Sequence, residues 1–191
     1  MKILLLSPHR ENLIRFLELD GNEVINTEEK ISLISEVVKD IDFVISYGYR
    51  HILKADLIRL FPNRMINIHT SFLPWNRGAD PNLWSFLENT PKGVSIHYVD
   101  SGIDTGDILT QEEIYFAEDD TLRTSYCKLT ETAFRLLEKY WYEIKNAKIT
   151  SHPQSHKGSF HRLKDRKKYE HLLYKGWDTP VKDLIGKVLK S

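Results

Sequence analysis

Between residues 2 and 69 the chain alternates short apolar runs with segments whose apolar residues recur every three or four positions, and few folds accept that order. Residues 2–6 (KILLL), 43–46 (FVIS) and 65–69 (MINIH) read as buried strands, with a shorter one at 23–26. Between them, 10–19 (RENLIRFLEL) reads as a helix through Leu13, Ile14, Phe16, Leu17 and Leu19, stopped by Asp20 and Gly21. Residues 31–39 and 55–61 read as two further helices, the second closed by Pro62 and Asn63. The alternation predicts an α/β fold, a mostly parallel twisted sheet with helices on both faces. In such sheets ligands sit beyond the carboxyl ends of the strands.

Asn67, Ile68 and His69 stand at such an end. With a period of two, Ile66 and Ile68 face one way while Asn67 and His69 face the other. Buried parallel strands are usually apolar on both faces, so an amide and an imidazole side by side need partners. Alone, the pair reads as hydrogen-bonded core polar groups. Residues 93–109 (GVSIHYVDSGIDTGDIL) add a second cluster. Val94, Ile96 and Tyr98 alternate with Ser95 and His97 as a half-buried strand, and Asp100, Asp104 and Asp107 follow in a tight loop with Gly102 and Gly106. Glycines there free the backbone to turn and to approach a ligand closely. The loop lacks the spacing and closing glutamate of an EF-hand. The turn at 7–12 (SPHREN) has no glycine, which excludes a dinucleotide or phosphate-cradling loop, although His9 and Arg10 could meet an anion there.

Composition narrows the classes further. Lys+Arg and Asp+Glu are equal at 27 each, so no global field draws the chain to nucleic acid or to a membrane surface. A lone cysteine, Cys127, makes no internal disulfide, and the opening run MKILLL is too short for a signal peptide or a membrane span. The expectation is a cytoplasmic globular protein. Residues 108–116 read as a strand, and Asp119, Asp120 and Thr121 cap a long helix over 122–146. Leu122, Tyr126, Leu129, Ala133, Leu136, Leu137, Tyr140, Trp141 and Ile144 form its core-facing stripe, with Cys127 read as a packing residue. Residues 1–150 are thus one domain, and 151–191 an extension rather than an independent domain, with short helical segments near 165–174 and 180–190. The extension is expected to border the acceptor site or to form a homodimer contact. His152, His156 and His161, without cysteines, read as loop histidines, so no metal site is expected.

The pattern N-I-H-x-S-x-L-P-x-x-R-G-x-x-P at 67–81, followed by residues 93–109, resembles the folate-dependent formyltransferase family. That family includes glycinamide ribonucleotide formyltransferase, methionyl-tRNA formyltransferase and the nucleotide-sugar N-formyltransferases. The likeness covers roughly residues 43–125. It implies a Rossmann-like formyltransferase fold with its catalytic domain in 1–150, a catalytic triad on Asn67, His69 and Asp104, and 10-formyltetrahydrofolate as donor. It also implies a pterin lodged against Tyr49, His51, Ile52 and Leu53 before the Asn-x-His strand, and against Asp100 and Ile103 in the acidic loop. In that chemistry a neutral amine attacks the formyl carbon, and an amide N–H of Asn67 with a donor on His69 stabilises the oxyanion. Asp104 favours the imidazolium and helps carry the amine's proton towards the leaving nitrogen.

The acceptor follows by elimination. The glycine-free turn at 7–12 departs from the glycinamide ribonucleotide enzymes, which hold a phosphate there. The roughly forty residues after the main helix fall short of the basic tRNA-binding domain of the methionyl-tRNA enzymes. The basic run at 162–168 (RLKDRKK) reads as a solvated face. Trp75 to Gly78 and Pro81 to Ser85 resemble the nucleotide-sugar enzymes, so the expected acceptor is the amine of a nucleotide-linked amino sugar used in surface or flagellar glycan synthesis. Arg10, Trp75, Arg77, Pro81 and His97 are the candidate substrate-binding residues. Arg10, Arg77, Lys157, Arg162 or Lys164 could receive the diphosphate. The alternatives are transfer to another small amine such as glycinamide ribonucleotide, hydrolysis of 10-formyltetrahydrofolate, and a non-catalytic binding module.

Overall fold

The computed structural model describes residues 1–155 and 157–188. In chain order its main elements are β1 (Lys2–Leu6), α1 (Glu11–Leu19), β2 (Glu23–Thr27), β3 (Phe43–Ser46), α2 (Ala55–Ile58), β4 (Met65–His69), β5 (Arg77–Gly78), α3 (Pro81–Leu87), β6 (Gly93–Tyr98), β7 (Ile108–Glu113), α4 (Leu122–Lys145) and β8 (Phe160–His161). The central sheet runs β2-β1-β3-β4-β6-β7. Its first four strands are mutually parallel, and β6 and β7 close it antiparallel. α1 and α4 cover one face, burying Leu13, Leu17, Leu129, Leu136 and Trp141 against Ile3, Ile45, Ile66 and Ile96. The other face packs Leu4, Leu6, Val44 and Met65 against Val38, Leu57 and Phe61. Residues alternating along one strand thus feed two separate cores, which is why these strands carry almost no polar residue before Asn67.

α4 follows the expected stripe. Thr121 caps it, its Oγ1 accepting from Thr124 N while Thr124 Oγ1 receives Thr121 N–H. Cys127 is exposed, off the stripe, so it is not a packing residue. Two other expectations need correction. Residues 31–39 form only a single 3-10 turn at Glu36–Val38, with Ile34 89% exposed. Ser35 Oγ accepts the Ser32 N–H there, a local side-chain bond that competes with the helical ladder. The second helix shrinks to Ala55–Ile58, because Pro62 disfavours helical backbone at the residue before it and Asn63 turns left-handed at φ 57°. The strand expected to reach residue 116 ends at Glu113. α3, with Pro81 at its first turn, is an element the periodicity did not announce.

Residues beyond 150 pack on the rest of the chain. His152 bridges Ile108, β8 pairs parallel with β5, and Leu122 N–H donates to Thr179 O. Tyr169, Val181 and Leu184 share a third core with Leu83, Trp84, Phe86 and Leu87 of α3. The helical segment expected near 165–174 is a 3-10 stretch at Leu163–Leu172, and that near 180–190 is reduced to a turn at Val181–Asp183, its final residues lying outside the described ones. Among the described residues no helix is long and apolar enough to cross a membrane.

Candidate active site

Register places the polar residues of β4 and β6 together. Asn67 sits opposite His97 and His69 opposite Ser95 in the antiparallel pair. The loop after β6 then brings Asp104 over them, with the aspartate itself in left-handed backbone at φ 54°. Asn67 Nδ2 donates to Asp104 Oδ1 at 3.0 Å and stands 3.2 Å from His97 Nε2. Asp104 Oδ2 accepts the Gly78 N–H at 2.8 Å and lies 3.6 Å from His69 Nδ1, while Oδ1 lies 3.5 Å from His97 Nε2. Gln154, from the extension, donates its side-chain amide to the carbonyls of Asp104 and Gly106, at 2.8 and 3.0 Å.

Both histidines have their tautomers set by carbonyls. His97 Nδ1 lies 2.7 Å from Tyr98 O and His69 Nε2 lies 3.0 Å from Asn76 O, so each of those nitrogens carries the hydrogen. Nδ1 is left as the proton-accepting atom of a neutral His69, and it faces Asp104. Burial by itself raises the Asp104 pKa, but the charge of His69, the hydrogen bond and charge of His97 and the Gly78 N–H outweigh it, holding this carboxyl well below the usual carboxylate range. Asp104 is therefore an anion throughout the working pH range, placed to stabilise an imidazolium at His69.

The other sequence-derived candidates are spread around this cluster. Trp75 and Arg77 lie on the connection from β4 and Pro81 opens α3. Arg77 donates to Lys157 O at 2.7 Å and lines a cavity of about 250 Å³ with Ile103, Thr105 and Phe160. Tyr49 is tied to the 29–31 turn, its hydroxyl donating to Glu29 O and accepting from Ile31 N. His51 rests edge-on against its ring, while Ile52 is 75% exposed and Leu53 packs on the second core. Asp100 shapes its own loop, accepting from Gly102 N and Thr105 Oγ1. His97 is 2% exposed, buried beside Asn67 and Asp104 rather than open to a substrate. Arg10 lies apart, on the α1 and α4 side of β4, where its guanidinium stacks 3.7 Å over the Tyr47 ring beside a cavity of about 370 Å³ bordered by Ile68, Thr130 and Phe134. Lys157 contributes to the site only its carbonyl, and Arg162 and Lys164 are exposed at the start of the 3-10 stretch.

Sequence reasoning missed Asn76, Gly78, Glu88, Gln154 and Ser159 as members of the site. Only Gly78, inside the R-G pair of the motif, carried a signal. Of the three histidines of the extension, His152 and His161 do not converge, and His156 lies outside the described residues. Among the described residues no group of three or more His, Cys, Asp or Glu could hold a metal ion.

With this geometry established, comparison with known proteins identifies the scaffold. The family described as Formyl transferase matches residues 23–139, more than half of the chain and the whole span from β2 through most of α4. The chain belongs to the formyl transferase family. It is 27% identical over 165 residues to methionyl-tRNA formyltransferase of Desulforamulus reducens, covering 85% of this chain and 51% of the relative. To the enzyme of the same name from a Sulfurihydrogenibium species it is 33% identical over 135 residues, covering 70% and 43%. The chain thus spans about half the length of these curated relatives. A solved structure matches end to end: the formyltransferase PseJ from Anoxybacillus kamchatkensis, in complex with UDP-4,6-dideoxy-4-formamido-L-AltNAc and tetrahydrofolate. That chain is 53% identical with a TM-score of 0.97, over 99% of this chain and 100% of that one.

Proposed function

We propose that this protein is an N-formyltransferase moving a formyl group from 10-formyltetrahydrofolate to the amine of a nucleotide-linked amino sugar, of the UDP-linked 4-amino-4,6-dideoxyhexose class. The observation that carries the reading is the Asp104 carboxylate held among Asn67, His69 and His97 on a scaffold that matches PseJ over its full length. Identity points the same way, at 53% to PseJ over that chain's full length against 27% to the methionyl-tRNA enzyme over about half of its length.

The chemistry follows from the hydrogen placement. The amine must attack as the free base. His69 Nδ1 is the atom that takes its proton, and Asp104 at 3.6 Å stabilises the resulting cation. Asn67 has two amide hydrogens, and the one directed at His97 over 3.2 Å is the weaker bond, hence the one available to the oxyanion of the tetrahedral intermediate. The proton then leaves through His69 towards the departing folate nitrogen. The side chains of Ile52 and Ile103 are apolar and exposed and suit a flat pterin, with Asp100 and Asp104 in the loop that carries Ile103. Arg77 beside Ile103 is the first candidate to receive the diphosphate and Arg10, on the α1 and α4 side of β4, the second, and the reaction runs in a reducing cytoplasm, where an exposed thiol such as Cys127 persists.

The test is incubation with 10-formyltetrahydrofolate and UDP-linked 4-amino sugars, followed by mass spectrometry and folate absorbance. Amine-dependent gain of one formyl group with release of tetrahydrofolate is expected. Folate turnover without the amine would make the protein a hydrolase, and turnover in neither case would make it a binding module.

A further inference from the structure

Behind His69 lies a second polar cluster that no step of the transfer uses. Asn76 is fully buried in left-handed backbone at φ 57° and is held on every side. Its N–H donates to Ser159 Oγ at 3.0 Å, its Nδ2 donates to Glu88 Oε2 at 2.9 Å, and its Oδ1 accepts from Thr90 Oγ1 at 2.8 Å. Ser159 Oγ donates to the same Glu88 oxygen at 2.6 Å, and the other carboxylate oxygen lies 3.0 Å from His161 Nε2. The His161 ring in turn stacks on Trp84 of α3, with centroids 3.7 Å apart and planes within 6°. The one backbone group of Asn76 that points the other way is its carbonyl, and that carbonyl is the partner of His69 Nε2.

From this geometry we infer that Glu88 and His161 are positioning residues for catalysis, fixing the Asn76 carbonyl so that His69 is held in one tautomer with Nδ1 free to take the amine's proton. The inference rests on the formyl-transfer reading for its consequence in turnover, but not for the tautomer itself. A carbonyl in strained backbone keeps its direction only while its tethers hold. Glu88 supplies the tether from the α3 side and Ser159 with His161 supplies it from β8, so the last segment of the chain reaches the reacting histidine through two hydrogen bonds. Glu88 is fitted to this role electrostatically. Burial raises its pKa, but His161, Ser159 and Asn76 together bring it below the ordinary glutamate value, so as an anion it accepts from Asn76 and Ser159 and pairs in charge with His161. The charged or titratable groups facing His69 itself are Asp104 and His97, whose ring centroid is 6.5 Å away, and neither contacts Glu88.

The experiment compares Glu88→Ala, Glu88→Gln and Asn76→Gly with wild type, using heteronuclear NMR of the imidazole nitrogens and steady-state kinetics. Wild type should show His69 with Nε2 protonated at alkaline pH. Glu88→Ala and Asn76→Gly, the latter keeping the left-handed backbone without its side-chain tethers to Glu88 and Thr90, should show mixed Nδ1 and Nε2 tautomers. Each should lose kcat by roughly ten- to a hundredfold, with KM for donor and acceptor unchanged and the acid limb of the kcat profile moved to lower pH, since the imidazolium loses an acceptor. Glu88→Gln, which retains an oxygen for Asn76 and Ser159, should restore most of kcat. A single Nε2–H tautomer in folded Glu88→Ala, or a loss confined to melting temperature with an unmoved pH profile, overturns the inference. Absence of formyl transfer in wild type overturns the function and leaves the NMR result to decide this one.

Discussion

The two polar regions on either side of β4 are built on opposite terms. Within the Asp104 row both carboxylate oxygens, the Asn67 amide, and the Nδ1 of His97 and Nε2 of His69 have named partners within the protein, and the unpaired buried atoms, Gln154 Oε1 and Arg77 Nε, belong to the residues around it. Beside Arg10, three buried side-chain atoms, Arg10 Nε, Tyr47 Oη and Thr130 Oγ1, have no hydrogen-bond partner among the described residues, and they border one cavity. A satisfied network is rigid and presets the direction of proton transfer. Unpaired buried polar atoms cost stability and persist in native proteins where something else uses them. The first region thus has the order that the proposed proton transfer needs, and the second has the open polar atoms that a ligand would use.

The harshest test of that contrast is Asp104→Asn. An amide keeps the shape but can neither hold the imidazolium nor accept from both Asn67 and Gly78. The alkaline plateau of kcat should fall by about a hundredfold, or roughly 2.7 kcal/mol. Asp104 is held ionised well below the usual carboxylate range, so the loss of its charge should be felt across the whole working range of pH. A pH–rate series at saturating amino sugar measures the effect, and an unchanged plateau would reduce Asp104 to a loop residue.

Gly78→Ala comes next. Gly78 has φ 90°, and a Cβ there would lie 2.2 Å from His161 O, so β5 must separate from β8 and withdraw its N–H from Asp104. A roughly tenfold loss in kcat is expected in protein that still melts cooperatively. On the binding side, Arg10→Ala should raise KM for the acceptor about tenfold while kcat stays near wild type. If kcat falls instead, the two regions are not separable. The mildest effect is Tyr47→Phe. Removing a buried hydroxyl without a partner should leave the unliganded protein as stable as wild type or more stable by up to about 1 kcal/mol, read from urea unfolding.

How much of this was legible in the sequence depends on the distance over which a residue acts. The strands were readable because their apolar runs are local signals, and Asn67 and His69 stood out because they interrupt one. The antiparallel return of β6 was not legible, since nothing in 93–98 distinguishes parallel from antiparallel pairing; yet that return puts His97 opposite Asn67. The failed helix at 31–39 has helical periodicity but gives the Ser32 N–H to the Ser35 hydroxyl and the Ile31 N–H to the Tyr49 hydroxyl. Asn76 and Glu88 were invisible because each is an ordinary residue whose role comes from partners such as Ser159, which lies 83 positions beyond Asn76.

That separation also governs when the site is completed during synthesis. Residues 1–145 contain the sheet and the helices covering it, and can bury most of the core as they emerge. The chain at that stage has Asn67, His69 and Asp104, but neither the Gln154 amide that holds the Asp104 loop nor the Ser159 hydroxyl that holds Asn76. Domains fold as units during translation, and contacts of large sequence separation close last. A released chain truncated near residue 150 should accordingly be compact and protease-resistant yet silent, and competence should arrive late, with the closing of β8 on β5.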